Sequence, residues 1–389
     1  MTVEDHRVIV NPEAFDFHPQ LMAEFARELN GWVSEKTERF SDGSPYAKVG
    51  GELAPTAVVP LWLSGHIEQQ LFRLMEIGNA LTHEEPGYPR RVDNILYVFP
   101  YLEGRGDQIS RVRPDVRKDS YDAISDILTP DGERRMVTGE TVYAEMFAET
   151  IAGPGRGSRA LLLDTHSALV QRYMEKKIRK VLTLSAVRLF AERLLKEELV
   201  TENTVVASPD FGALSRAALL AELIHRPLVL CDKWHPVHNN SYVSLRFGDV
   251  RGKRVIGIDE VVDTASTIVE GAKVLVDEEG ATDVIVMSTG AKLTGPAISR
   301  LDRAFRDGNI TKVIFTDSLP SANKASIFGP DRFSLINIGP LLIRGIKTLL
   351  DPKATLDTYG VAPYVLPDET PLEAYLHYQK QFDLPPLDR

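Results

Sequence analysis

The chain has 389 residues, 43% of them hydrophobic and 26% charged, which is more than one hydrophobic core usually holds. A formal net charge of −10 argues against a generic nucleic-acid surface, so a phosphate ligand would need focused cations, backbone N–H groups or Mg2+. The single cysteine, Cys231, excludes an intrachain disulfide and reads as a buried thiol. The polar, acidic start and the lack of any membrane-length apolar run point to a cytoplasmic protein with neither membrane nor nucleic acid as partner.

In chain order, a strand near Val8–Val10 is followed by an amphipathic helix predicted over Pro19–Val33, where Leu21, Met22, Phe25, Leu29, Trp32 and Val33 recur at helical spacing. Asp42-Gly43 marks a turn. A strand over Ala57–Leu63 leads into a helix predicted from Ile67 to Leu81, and Ile95–Tyr101 is the next strand. Residues 108–138 are charged and poor in apolar side chains, which predicts a long surface insertion. A helix near Glu140–Ile151 and a strand at Ala160–Leu163 follow. The glycines at 153, 155 and 157 precede that strand, so they mark a loop and not a dinucleotide fingerprint.

The second half repeats the alternation, with strands predicted at Thr204–Ala207, Leu228–Leu230, Val255–Ile258, Val284–Met287 and Val313–Phe315. Strands alternating with helices imply α/β units with mostly parallel sheets flanked by helices. Counting those units divides the chain into an N-terminal domain 1–182, a second domain 183–337, and a C-terminal helix and tail over 338–389, the tail lying across the surface.

The stretch from Val255 to Thr267 is the densest in chemistry. An apolar strand stops at Asp259 and Glu260, and Asp263-Thr264-Ala265-Ser266-Thr267 then opens a helical pattern. A strand, a short hydroxyl-rich turn and a helix N-terminus aim backbone N–H groups at one spot, where the helix dipole favours a phosphate. Adjacent carboxylates suit a vicinal diol, because each accepts hydrogen bonds from neighbouring hydroxyls. Phosphate beside diol suggests a ribose phosphate. A plain helix cap by Asp263 or Thr264 explains neither the acid pair nor the three hydroxyls.

This segment resembles the phosphoribosyl-diphosphate (PRPP) loop of phosphoribosyltransferases and ribose-phosphate pyrophosphokinases. Four further stretches resemble the pyrophosphokinases in particular: Arg39–Gly43; Asp164-Thr165-His166 with Gln171; Ala207-Ser208-Pro209-Asp210-Phe211-Gly212-Ala213 with Arg216; and Thr289-Gly290, Thr294–Ile298 and Thr316–Pro320. The resemblance implies two phosphoribosyltransferase-type domains with the active site between them, and Mg2+-dependent transfer of a diphosphoryl group from ATP to ribose 5-phosphate. It implies ATP contacts from Phe40, Asp42, Ser44, Arg105 and His166, and diphosphate contacts from Asp210, Phe211, Gly212 and Ala213. Ribose phosphate would be held by Asp259, Glu260, Asp263, Thr264, Ala265, Ser266 and Thr267, the metal by His166 and Asp210, and catalytic charge by Lys233 and His235. A homo-oligomer is expected on the same ground.

The departures define alternatives. Lys233-Trp234-His235 stands where the family has Lys-Arg-Arg, on a segment read as a mobile loop, and histidine offers less charge near neutral pH than arginine. Ser44 replaces an acid, Ser266 and Ala213 replace glycines, and Gly290 replaces a histidine. Two rival readings therefore stand: the same chemistry on a larger acceptor such as ADP-ribose, or a non-catalytic regulatory relative.

Overall fold

The computed structural model describes residues 6–10, 18–29, 32–33, 37–39, 45–47, 56–63, 67–82, 92, 94–102, 143–153, 159–165, 168–209, 213–237 and 240–351. The insertion expected at 108–138 and the tail beyond 351 lie outside them.

In the first half, β1 (His6–Val10) leads to α1 (Pro19–Glu28), β2 (Trp32–Val33) and a hairpin of β3 (Thr37–Arg39) and β4 (Pro45–Ala47). There follow β5 (Thr56–Leu63), α2 (Ile67–Thr82), β6 (Asn94–Leu102), α3 (Tyr143–Ala152), β7 (Arg159–Leu163), α4 (Ala168–Lys177) and β8 (Lys180–Leu184). The second half runs α5 (Val187–Lys196), β9 (Thr204–Ser208), α6 (Leu214–Ile224), β10 (Leu228–Val237), β11 (Asn240–Phe247), β12 (Arg254–Val262) and α7 (Ser266–Asp277). It ends with β13 (Asp283–Ala291), α8 (Ala297–Asp307), β14 (Ile310–Thr316), α9 (Ala322–Phe328), β15 (Phe333–Ile336) and α10 (Gly339–Leu350).

One strand order serves both halves. The first sheet runs β2-β1-β5-β6-β7-β8, and the second runs β10-β9-β12-β13-β14-β15 with β11 added outside β10. Every pairing in these sheets is parallel except the β10–β11 hairpin. Helices cover both faces, so successive residues of the central strands are buried on opposite sides: Val205 and Val206 lie in opposite clusters, as do Val58 and Val59. That explains why the strands read as unbroken apolar runs in place of alternating ones.

The helix that follows the last strand of each sheet packs on the other sheet. α5 follows the last strand of the first sheet, yet Val187, Phe190 and Leu194 pack with Val206, Ile256 and Ile314 of the second. α10 follows the last strand of the second sheet, and Leu342 and Ile346 pack with Val58, Leu96 and Leu161 of the first. Leu189 touches both clusters.

Three expectations change. The helix over Pro19–Val33 ends at Glu28 and Trp32–Val33 pairs with β1 as a strand, Asn30-Gly31 being a helix-stop signal in the sequence. The strand at Val255–Ile258 continues to Val262, because Asp259, Val261 and Val262 keep pairing with β13. The segment read as a mobile loop around Lys233 is the strand β10, paired through Trp234 and Val237 with β11.

Candidate active site

The turn between β12 and α7 is three residues long, Asp263 to Ala265, and Ala265 takes a left-handed backbone with φ of 57°. An alanine there costs about 1–2 kcal/mol, so the surroundings must hold it. A strap between β13 and α8 does so. The Leu293 N–H donates to the Val262 carbonyl at 3.0 Å and the Thr294 N–H to that of Asp263 at 2.9 Å. The Thr294 hydroxyl donates to the Asp263 carboxylate, Lys292 Nζ stands 3.4 Å from the same group, and Arg300 Nη1 donates to the Thr264 carbonyl at 2.9 Å.

No side chain caps α7, so neither Asp263 nor Thr264 serves as the cap. Its first-turn N–H groups form a donor set of the kind that receives anions. Thr264 is exposed and Thr267 half-buried, while Ser266 donates to Glu270 at 2.9 Å, turning its hydroxyl along the helix. Asp263 thus braces the turn from outside, a role its place in the sequence does not reveal.

The acids at the end of β12 belong to a wider charged network. Asp259 Oδ1 accepts from the Glu260 N–H at 2.9 Å, and Glu260 Oε2 accepts from Arg216 Nη1 at 3.0 Å. Arg216 is only 7% exposed on α6. Its Nη2 donates to the Thr165 carbonyl at 2.8 Å, and its Nε lies 3.8 Å from Asp164 Oδ1. Asp164, at the end of β7 with φ of 38°, also accepts from the Ala186 N–H at 2.9 Å and the Thr289 hydroxyl at 2.5 Å. Buried charges survive only when paired and hydrogen-bonded, and here the pairing runs from one half of the chain to the other. The sequence singles out the Asp164 triplet and Arg216 as motif members but gives no sign that they meet Glu260.

Residues 237–353 match the family described as the phosphoribosyl synthetase-associated domain. Along most of its length the chain is similar to the ribose-phosphate pyrophosphokinase of Caldanaerobacter subterraneus subsp. tengcongensis, with 31% identity over 332 residues, 85% of this chain and 91% of that one. The chain belongs to the ribose-phosphate pyrophosphokinase family.

The Bacillus subtilis ribose-phosphate pyrophosphokinase is 31% identical over 214 residues, 55% of this chain and 63% of its own. In fold, the chain resembles the crystal structure of phosphoribosylpyrophosphate synthetase from Mycobacterium smegmatis, with a TM-score of 0.67 and 24% identity over 89% of this chain and 98% of that one. The expected enzyme class, a ribose-phosphate diphosphokinase-like transferase, is that of the pyrophosphokinase family.

Some departures from the pyrophosphokinase pattern have local physical reasons. A Cβ on Gly290 would stand 3.1 Å from Tyr101 Cε2 and 3.2 Å from Val261 Cγ2. Tyr101, on the first sheet, therefore crowds the space a side chain would need. Ala213 is buried at the start of α6, where its methyl is accommodated. Lys233 and His235 lie within β10. Phe40, Asp42, Ser44, Arg105, His166, Asp210, Phe211 and Gly212 lie outside the described residues. Among the described residues no three His, Cys, Asp or Glu group as a metal site, and no helix is long and apolar enough to cross a membrane.

Proposed function

We propose that this protein transfers the β,γ-diphosphoryl group of ATP to the anomeric hydroxyl of ribose 5-phosphate, giving PRPP and AMP. In this reaction the ribose 1-oxygen bonds to the β-phosphorus, the bridge between the α- and β-phosphates breaks towards AMP, and the hydroxyl proton is lost. The observation that supports it best is the braced, uncapped turn at the head of α7, with an acid pair beside it that is tied to the far half of the chain.

In this reading Asp259 and Glu260 accept from the ribose diol. Asp263 to Thr267 shape the 5-phosphate site, the α7 N–H groups supplying its donors. Phe40, Asp42, Ser44, Arg105 and His166 serve the nucleotide. Asp210, Phe211, Gly212 and Ala213 receive the diphosphate ahead of α6. Lys233 and His235 face the charge that develops on the transferred group, which is where such reactions gain most of their rate. Mg2+ would be held by His166 and Asp210, the carboxylate supplying the hard oxygen donor that this ion prefers. When bound it neutralises polyphosphate charge. We assign the nucleotide side to residues 1–182 and the ribose-phosphate side to 183–337, in a cytoplasmic homo-oligomer.

The test is incubation of the purified chain with Mg-ATP and ribose 5-phosphate, with adenine nucleotides separated by chromatography. AMP should appear in step with PRPP, and chelation of the metal should stop it. Release of ADP in place of AMP would identify a single-phosphate transfer and overturn the proposal.

A further inference from the structure

We infer that Arg216 is a positioning residue for sugar recognition: it sets the Glu260 carboxylate for the diol and so governs discrimination of ribose from 2-deoxyribose phosphates. The inference rests on the ribose-phosphate reading of the β12–α7 turn.

Three observations carry it. Arg216 is anchored on the side away from Glu260, by the Thr165 carbonyl at 2.8 Å and the Asp164 carboxylate at 3.8 Å, so its remaining nitrogen is presented to Glu260 Oε2 in a fixed direction at 3.0 Å. A guanidinium is a rigid planar fork, so fixing part of it fixes the rest. A carboxylate offers about four lone-pair sites, and one ion pair does not exhaust it. Its orientation, however, decides whether two adjacent hydroxyls can both reach it.

The second observation is the counterpart junction in the same molecule. At the end of β14, the strand corresponding to β7, Asp317 accepts from the Ile338 N–H at 2.9 Å, as Asp164 does from Ala186. The basic side chain there is His18, and the residue on the strand matching β12 is Trp62, whose indole N–H donates to the Ser318 carbonyl at 2.6 Å. That junction closes without an acid in the Glu260 position. The architecture therefore does not require the Arg216–Glu260 limb, and among the described residues the limb stands beside the ribose-phosphate turn.

Third, Asp259 turns one oxygen back to the Glu260 N–H at 2.9 Å, so the backbone of Glu260 is held as well as its side chain. Both ends of the diol acceptor are thus oriented, one by its neighbour and one by Arg216.

The experiment measures kcat and KM by AMP release for ribose 5-phosphate and 2-deoxyribose 5-phosphate in the parent, Arg216→Lys and Arg216→Met, with KM for ATP and the melting temperature alongside. A site built to hydrogen-bond a hydroxyl rejects the analogue lacking it, so the parent should favour ribose in kcat/KM by about tenfold or more. Arg216→Met should raise KM for ribose 5-phosphate about tenfold and shrink the preference to within about threefold, KM for ATP moving less, and Arg216→Lys should fall between. A merely structural role would lower the melting temperature and scale both sugars alike. An undiminished ribose preference in both variants overturns the inference while leaving the proposed function standing. A parent that releases AMP with neither sugar overturns the proposed function and this inference with it. If Arg216→Met does not fold, Arg216→Lys, which keeps the cation and most of the volume, decides by the same ratio.

Discussion

The junction around Asp164 and the junction around Asp317 are assembled from the same parts and differ in the basic side chain, Arg216 at one and His18 at the other. In both, the aspartate ends a strand, its N–H donates to the carbonyl that closes the next strand (Leu184 at 2.8 Å, Ile336 at 2.9 Å), and its carboxylate receives the N–H at the head of the exchanged helix. In both, a side chain from another element donates to the following carbonyl, Arg216 to Thr165 and Trp62 to Ser318. Arg216, however, is permanently charged. At the other junction His18 Nδ1 accepts from the Leu21 N–H at 3.3 Å while Nε2 donates to the Asp317 carbonyl at 2.5 Å, the pattern of a neutral imidazole. Its ring stacks on Trp62 with centroids 5.7 Å apart. Burial dominates Asp317 and pushes its carboxyl above the ordinary range, the backbone bond from Ile338 offsetting only part. One junction holds charge next to Glu260, the acid proposed to receive the sugar hydroxyls; the other only joins the halves.

The sharpest break of that contrast is removal of each aspartate. Asp164→Ala leaves Arg216 with one fewer acid and two donors without their acceptor, so it should cost about 3–5 kcal/mol in chemical denaturation. Asp317→Ala also leaves a buried N–H, but removes a carboxylate disfavoured by burial, and should cost about 1 kcal/mol. Equal losses would mean the two junctions do the same work.

The contrast extends to the sheet edges. β2 is two residues long, whereas its counterpart β10 runs for ten and continues into β11, and the extension carries Lys233 and His235. Lys233→Ala should lower kcat by about a hundredfold or more, corresponding to roughly 2–4 kcal/mol of transition-state stabilisation. His235→Arg should remove a fall in rate with rising pH as imidazole deprotonates. A Lys233→Ala enzyme with parental kcat would take the extension out of the chemistry.

A smaller effect separates Glu260 from Trp62. Glu260→Gln weakens charge-assisted bonds and should lower kcat/KM for the sugar phosphate by about thirtyfold, or roughly 2 kcal/mol. Trp62→Phe removes one hydrogen bond and should cost about 1 kcal/mol of stability with KM for both substrates unchanged. A kinetic defect in Trp62→Phe would give the second junction a share in the site.

The smallest effect is electrostatic. Because folding raises the Asp317 carboxyl, the folded state binds its proton more tightly than the unfolded chain does. The associated stability is present below the ordinary value of 3.8 and is lost as pH rises through the raised value. Asp317→Asn keeps an acceptor for Ile338 and cannot ionise. Denaturation at a series of pH values should therefore show the parent losing stability relative to Asp317→Asn across that window, and parallel curves would contradict the assignment.

What the sequence determined by itself is local. Both faces of each sheet are covered, so β5, β6, β9, β12, β13 and β14 stand out as apolar runs, and the turn before α7 shows its acids and hydroxyls within a dozen residues. The tertiary structure decided which of those groups meet. Glu260 and Arg216 are 44 residues apart, Arg216 and Thr165 are 51 apart, and Thr289 and Asp164 are 125 apart. Their pairing follows from how one half docks on the other. The crossing of α5 and α10 was hidden for a similar reason, since an apolar helix face shows that it will be buried but not against which sheet. Ser266 has the hydroxyl of a phosphate ligand, yet it donates to Glu270, and the Asp263 carboxylate is engaged by the strap at Thr294, because a side chain's orientation is set by the nearest partners in space.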